Sequence, residues 1–293
     1  MNGSELRRVL VAYDGSPSAI AAIETGAQLF PDVHAWIAHL WTAPFANEEL
    51  RRRLWAASRD LDTLVAAIER EGEQEAARLV SVGVKLARAA GWDSEPLIRR
   101  AYGGEGLHLA QLAGEVQADL LVVGSRGLGG ARALLGSVSD VAVHYSTRPV
   151  LVVPQPLLTD EYAAIPDGPV VVGWDASTGA DAAFSAARDL LPTRDLLLVS
   201  VGDSISGQAA APEFEAINQT VTVLNVESEH GTRGRAVADA LSACAREHKA
   251  AAVVVGSRGR SVVTEIVLGS VAMSTLHNAH RPVLVIPPPS RKA

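Results

Sequence analysis

Two long stretches of this chain are near-copies of one another, and no other feature constrains the fold as strongly. Residues 121–154 read LVVGSRGLGGARALLGSVSDVAVHYSTRPVLVVP, and residues 253–287 read VVVGSRGRSVVTEIVLGSVAMSTLHNAHRPVLVIP. Each runs from an apolar segment through Gly-Ser-Arg-Gly and Leu-Gly-Ser-Val to Arg-Pro-Val-Leu-Val and a proline. A second matched pair opens each copy, VLVAYDGSPS from Val9 and VVVGWDASTG from Val170. The chain is therefore two copies of one domain, and its 293 residues allow each copy its own buried core.

In the first copy, Val9–Tyr13 is a continuous apolar run that stops at Asp14-Gly15-Ser16-Pro17. That is the pattern of a buried parallel strand, followed by a helix with Ser16 as N-cap and Pro17 at its first position. The helix is expected over 19–29 and a second strand over 35–41. Residues 47–91 are strongly helical: Leu50, Leu54, Leu61, Leu64, Val65 and Ile68 recur at three- and four-residue steps. Gly72 is expected to divide this stretch into two helices. A strand at 96–101, helix at 106–116, strand at 119–123, helix at 137–146 and strand at 150–153 complete the copy.

Strands alternating with helices predict an α/β fold with a parallel sheet covered on both faces. The second copy repeats the scheme, with strands at 170–174, 196–201, 221–226, 252–255 and 283–286. Its helices fall at 181–191, 235–248 and 270–279, with a helical turn expected near 213–218. The domains are expected over 1–156 and 169–293, with a proline-containing linker at 157–168. The copies are unequal. Asp14 precedes Gly124 by 110 residues and Asp175 precedes Gly256 by 81, so the second copy lacks the long helical segment.

Composition narrows the function. A net charge of −7 and a pI near 5.6 advertise no basic face, which argues against nucleic-acid or anionic-membrane partners. Cys244 is the single cysteine, and its helical spacing reads as a small buried hydrophobe rather than a reactive thiol. The first apolar run is too short for a signal-peptide core, and no stretch is long enough to span a bilayer, so a cytoplasmic protein is expected.

The chemistry resides in the loops. A strand ending in Gly-Ser-Arg-Gly, with a helix starting at Gly-Ser-Val, exposes loop amides and the positive end of a helix dipole, which suit an anion. Glycine admits phosphate to the backbone, and Ser137 and Ser270 add a hydroxyl each. Simple turns and helix caps would leave the same pattern, and both readings stand at the level of one loop. In an open parallel sheet, ligands bind beyond the carboxyl ends of strands that flank a switch in topology. With the first and fourth strands adjacent, Asp14 and the Gly124–Gly127 loop meet there. Asp14 could accept hydrogen bonds from a ribose or cap its own helix.

Other chemistry finds little support. Arg126 and Arg258 could reach phosphate or face solvent. His34, His39, His108, His144, His277 and His280 show no metal-ligand spacing. Neither loop carries the Gly-Lys-Ser/Thr of a P-loop, and no Gly-x-Ser-x-Gly elbow is present.

With these residues in view, the chain resembles the universal stress protein family over nearly its full length, as a tandem two-domain member. The motif that carries the resemblance is Gly, two residues, Gly, nine residues, Gly, then Ser or Thr. The resemblance implies two open five-stranded parallel sheets of order 3-2-1-4-5, the adenine-nucleotide alpha-hydrolase-like arrangement. It implies ATP, with Mg, as ligand. In the first copy Asp14 would contact ribose and the backbone near Leu40 would read adenine. Gly124 and Gly127 would line ribose and phosphates, and Gly136, Ser137 and Val138 would bind phosphate. In the second copy the matching residues are Asp175, Val201, Gly256, Gly259, Gly269, Ser270 and Val271. No metal ligand set from the protein alone and no catalytic residue is implied.

Both copies depart from the motif. Nine residues separate Gly259 from Gly269, but eight separate Gly127 from Gly136, and Ala176 stands where the first copy has Gly15. One residue deleted from a continuous helix rotates the residues beyond it by about 100°, which Gly129-Gly130 could absorb in a loop. The expected function is an ATP-binding stress-response regulator, with weak hydrolysis at most. The alternatives are an interaction module that lost the nucleotide and, less supported, a slow ATP hydrolase. Pairing through the last strands, Val150–Val153 with Val283–Ile286, would build a dimer into one chain, and two chains are expected to form a homodimer.

Overall fold

The computed structural model describes residues 7–125, 135–202, 219–227, 234–259 and 268–289. The first copy contains β1 (Arg7–Ala12), α1 (Pro17–Leu29), β2 (Val33–Trp41), α2 (Glu48–Trp55), α3 (Leu61–Ala89) and β3 (Asp93–Arg100). It continues with α4 (Glu105–Glu115), β4 (Leu120–Gly124), α5 (Ser137–Tyr145) and β5 (Val150–Val153). A connecting helix, α6 (Thr159–Ala164), leads to β6 (Val170–Gly173), α7 (Thr178–Leu190), β7 (Leu196–Val201) and β8 (Val221–Val226). The chain then forms α8 (Gly234–Glu247), β9 (Ala252–Gly256), α9 (Ser270–Asn278) and β10 (Val283–Ile286).

The ten strands among the described residues join one sheet in the order β3-β2-β1-β4-β5-β10-β9-β6-β7-β8. Each half has the expected order 3-2-1-4-5 in its own numbering, with parallel pairing throughout. The exception is the seam. There β5 and β10 run antiparallel, with Val152 opposite Val283, Leu151 opposite Leu284 and Val150 opposite Val285. The last strands therefore cover each other's edges, which removes two exposed rows of backbone donors and acceptors.

The strands are apolar on both sides because both faces are covered. One face packs against α1, α3 and α7 through Ile23, Val80 and Phe184, and its apolar cluster crosses the seam at Leu151 and Leu284. The other packs against α4, α5, α8 and α9 through Leu109, Ala142, Leu241 and Leu276. Cations tie the halves together at helix ends. The Arg7 guanidinium donates to the carbonyls of Asp189 and Leu190 at the end of α7. Arg194 donates to the Gln28 carbonyl at the end of α1, at 3.3 Å. Both positive charges meet the negative end of a helix dipole.

One expectation requires correction. Gly72 does not divide the helical stretch; it lies inside the continuous 29-residue α3. The break falls at residues 56–60, where Asp60 and Thr63 form a reciprocal capping box. Gly72 instead provides clearance, since a β-carbon there would lie 2.7 Å from the Trp41 ring and 2.9 Å from Pro44. Within the expected linker, α6 buries Glu161 against Arg281, 3.5 Å away. Between Val201 and Val221 too few residues remain for a counterpart of α3. The turn expected near 213–218 lies outside the described residues.

Candidate functional site

Each copy's site is built where its first and fourth strands end side by side. In the first copy Ser16 caps α1 by accepting from Ala19 N–H at 3.1 Å, and Asp14 Oδ1 accepts from Ser16 N–H at 2.9 Å. The second copy repeats this arrangement: Ser177 accepts from Ala180 N–H at 3.2 Å, and Asp175 Oδ1 accepts from Ser177 N–H at 3.0 Å. One carboxylate oxygen of each aspartate thus shapes its turn. Both side chains remain partly exposed at the carboxyl edge of the sheet. The turn needs a left-handed residue, supplied by Gly15 (φ +77°) and by Ala176 (φ +60°).

The fourth strand of each copy presses its terminal glycine onto the first helix. A β-carbon on Gly124 would lie 2.4 Å from Ser18 Oγ, and one on Gly256 would lie 2.5 Å from the Gly179 carbonyl. In the second copy the loop continues to Gly259, where a β-carbon would sit 3.3 Å from Asp175 Oδ2. The aspartate and the glycine loop therefore converge, as the sheet order requires. Gly127 and Arg126 lie outside the described residues.

The loop is pinned by its backbone. Ser125 N–H donates to Val153 O and Ser257 N–H to Ile286 O, each at 2.7 Å. Gly136 and Gly269 donate to the Ser125 and Ser257 carbonyls, also at 2.7 Å. Those glycine amides are thus committed, and what the two residues bring is close approach and N-cap geometry. Neither α5 nor α9 has a side-chain cap. Their first amides, on Ser137 and Val138 and on Ser270 and Val271, have no intrahelical acceptors, and such a helix end can receive an anion. Ser137, Val138 and Ser270 are exposed.

Leu40 and Val201 occupy equivalent places. β1 ends where Tyr13 N–H donates to Ala38 O, and β6 ends where Trp174 N–H donates to Val199 O, both at 2.8 Å. Backbone groups along a strand alternate between its two neighbours. Leu40 and Val201, two residues further on, therefore turn their amide and carbonyl to the same side, above the ends of β1 and β6.

The residues fit an adenine nucleotide in outline. Backbone at Leu40 and Val201 could pair with a base edge, the aspartate carboxylate could accept from ribose hydroxyls, and glycines leave room beside a helix without a side-chain cap. Among the described residues no group of three or more His, Cys, Asp or Glu could hold a metal ion. Magnesium at such a site would be carried by phosphates and water.

Sequence reasoning missed Ser18, Ser139 and Gly106. The Ser139 hydroxyl donates to the Gly124 carbonyl at 2.7 Å and so fixes the strand end to α5. A β-carbon on Gly106 would lie 2.5 Å from the Val138 carbonyl. Leu-Gly-Ser-Val-Ser carries a signal for Ser139, at the third position of a helix beside a glycine strand end.

The model of the universal stress protein family matches residues 5–154 and again 168–287. Universal stress proteins of Mycobacterium tuberculosis and Mycobacterium bovis are each 32% identical, over 94% of this chain and 96% of theirs. A universal stress protein of Archaeoglobus fulgidus has a similar solved fold, with a TM-score of 0.68 at 20% identity, covering 96% of this chain and 98% of that one. A Pseudomonas aeruginosa protein of unknown function aligns at a TM-score of 0.53 and 14% identity, covering 97% and 93%. The repeated fold, the repeated site and these matches agree: the chain belongs to the universal stress protein family, as a member with two tandem domains.

Proposed function

We propose that each copy binds an adenine nucleotide, ATP with magnesium, at the carboxyl edge of its sheet, and that the protein acts as a ligand-dependent regulator in the cytoplasm. The observation that carries the reading is the approach of Gly259 to Asp175 Oδ2 beside the uncapped N-terminus of α9. Asp14 and Asp175 would hold ribose, Leu40 and Val201 would read the base through the backbone, and Gly124, Gly256 and Gly259 would flank ribose and phosphate. Gly136, Ser137 and Val138, with Gly269, Ser270 and Val271, would receive the phosphates. Gly127, by its place in the motif, would do in the first copy what Gly259 does in the second. Response by shape or partner binding, and pairing of two tandem chains, belong to the same proposal.

One observation favours the rival, an interaction module without nucleotide: Oδ1 of each aspartate is already engaged in its own turn. Mass spectrometry of ligand released from freshly purified protein separates the two. The proposal expects ATP or ADP in the supernatant. Protein free of nucleotide that also binds no ATP at millimolar concentration would favour the module.

A further inference from the structure

We propose that the seam between the two domains holds a second anion site, specific for a phosphate group, on the opposite side of the Gly256–Gly259 loop from Asp175. The antiparallel pairing of Val150 with Val285 sets the Arg148 turn of the first domain beside Pro287 and the loop that leaves β9. A small cleft of about 40 Å³, open to solvent, lies there. Its polar lining comes from both domains: His144, Ser146 and Arg148 from one, Ser257 and Arg258 from the other, with no carboxylate among the lining residues.

The unexplained group is the Ser257 hydroxyl. Ser257 is 9% exposed, and its Oγ has no hydrogen-bond partner among the described residues. The equivalent Ser125 hydroxyl accepts from Gln155 N–H at 3.2 Å. In the second copy the matching residue is Pro288, which has no N–H to give. A buried hydroxyl left this way calls for a partner that the described residues do not supply.

The arginines differ in the same sense. Arg281, the counterpart of Arg148, is buried, donates to the Ala250 carbonyl at 2.8 Å and faces Glu161 at 3.5 Å. Arg148 has no side-chain partner among the described residues and lines the cleft. His144 Nδ1 lies 2.8 Å from the Asp140 carbonyl and 3.6 Å from its carboxylate, and Nε2 has no partner among the described residues. Duplication would have made the two seam positions alike. Arg281 is neutralised by a carboxylate from α6, whereas the Arg148 guanidinium keeps no carboxylate partner among the described residues and shares its opening with the His144 imidazole, which Asp140 flanks, and the orphaned Ser257 hydroxyl. That set matches the several acceptor oxygens and the negative charge of phosphate.

Arg148 and His144 belong to the far end of the first domain's sheet from its own nucleotide site, while Ser257 shares its loop with Gly256 and Gly259 of the second. Calorimetry on the full chain, freed of nucleotide and in chloride buffer, tests it with inorganic phosphate and, separately, glycerol 3-phosphate. The expected result is saturable phosphate binding that Arg148→Gln weakens about tenfold or more, with ATP binding unchanged, and that Ser257→Ala weakens severalfold. Equal binding of the ester identifies a phosphomonoester ligand, and exclusion of the ester identifies the free anion. If Arg148→Gln lowers the thermal midpoint, Ser257→Ala alone decides. Absence of saturable phosphate binding, or wild-type affinity in Ser257→Ala, would overturn the proposal.

Discussion

Ala176 occupies a left-handed position, φ +60°, that its counterpart Gly15 fills at φ +77°. A β-carbon in that region costs about 1 kcal/mol or more, while glycine adopts it freely. Ala176→Gly is therefore expected to raise stability by about 1 kcal/mol in urea unfolding, the reverse of the usual loss. His34 gives a pH signature. Burial pulls its pKa down, but hydrogen bonds to Asp93 (2.8 Å) and Glu95 (3.3 Å) outweigh this and raise it above the ordinary 6.5. A raised folded-state pKa means that the contribution is complete below about 6.5 and is lost as pH rises through the folded value. The thermal midpoint is expected to carry a declining component over that window, and His34→Gln should remove it. Asp14 and Asp175 were legible in the sequence because Asp-Gly-Ser and Asp-Ala-Ser announce a turn before a helix. The orphaned Ser257 hydroxyl was not, because it depends on the absence of an N–H at Pro288, thirty-one positions away in the chain.

At the scale of elements, apolar runs and helical spacing located every described strand, with ends shifted by up to three residues. What they could not distinguish was a glycine that ends a helix from one that gives it clearance. Gly72 and Gly26 are of the second kind. A β-carbon on Gly26 would lie 2.7 Å from the Trp92 ring. Trp92 is 2% exposed, and its indole N–H is fixed to the Phe30 carbonyl at 2.7 Å. Helix propensity alone favours alanine by about 1 kcal/mol, but overpacking against a ring that cannot yield costs about 1–3 kcal/mol. Gly26→Ala is thus expected to lower stability, read as a lower denaturant midpoint at unchanged slope. The sequence did carry the true break between α2 and α3, in Asp60 with Thr63 three residues on, but the glycine was the louder signal.

For the whole molecule, the seam makes two copies into one sheet. Leu151 and Leu284 face each other there, both fully buried. Leu284→Ala is expected to cost about 2–5 kcal/mol. Because the apolar clusters on both faces cross the seam, the loss should appear as one transition at lower temperature. Separate melting of a second domain, with the first unaffected, would contradict that coupling.

The repeated nucleotide site is the central claim, and its most direct measurement is ATP stoichiometry by equilibrium dialysis on the wild type and on Gly259→Glu. A side chain at Gly259 must meet the Asp175 carboxylate. The expected result is two equivalents of ATP per chain in the wild type and one in the variant, with Gly127→Glu removing the other. Wild-type stoichiometry in Gly259→Glu, or no bound ATP in the unaltered protein, would contradict it.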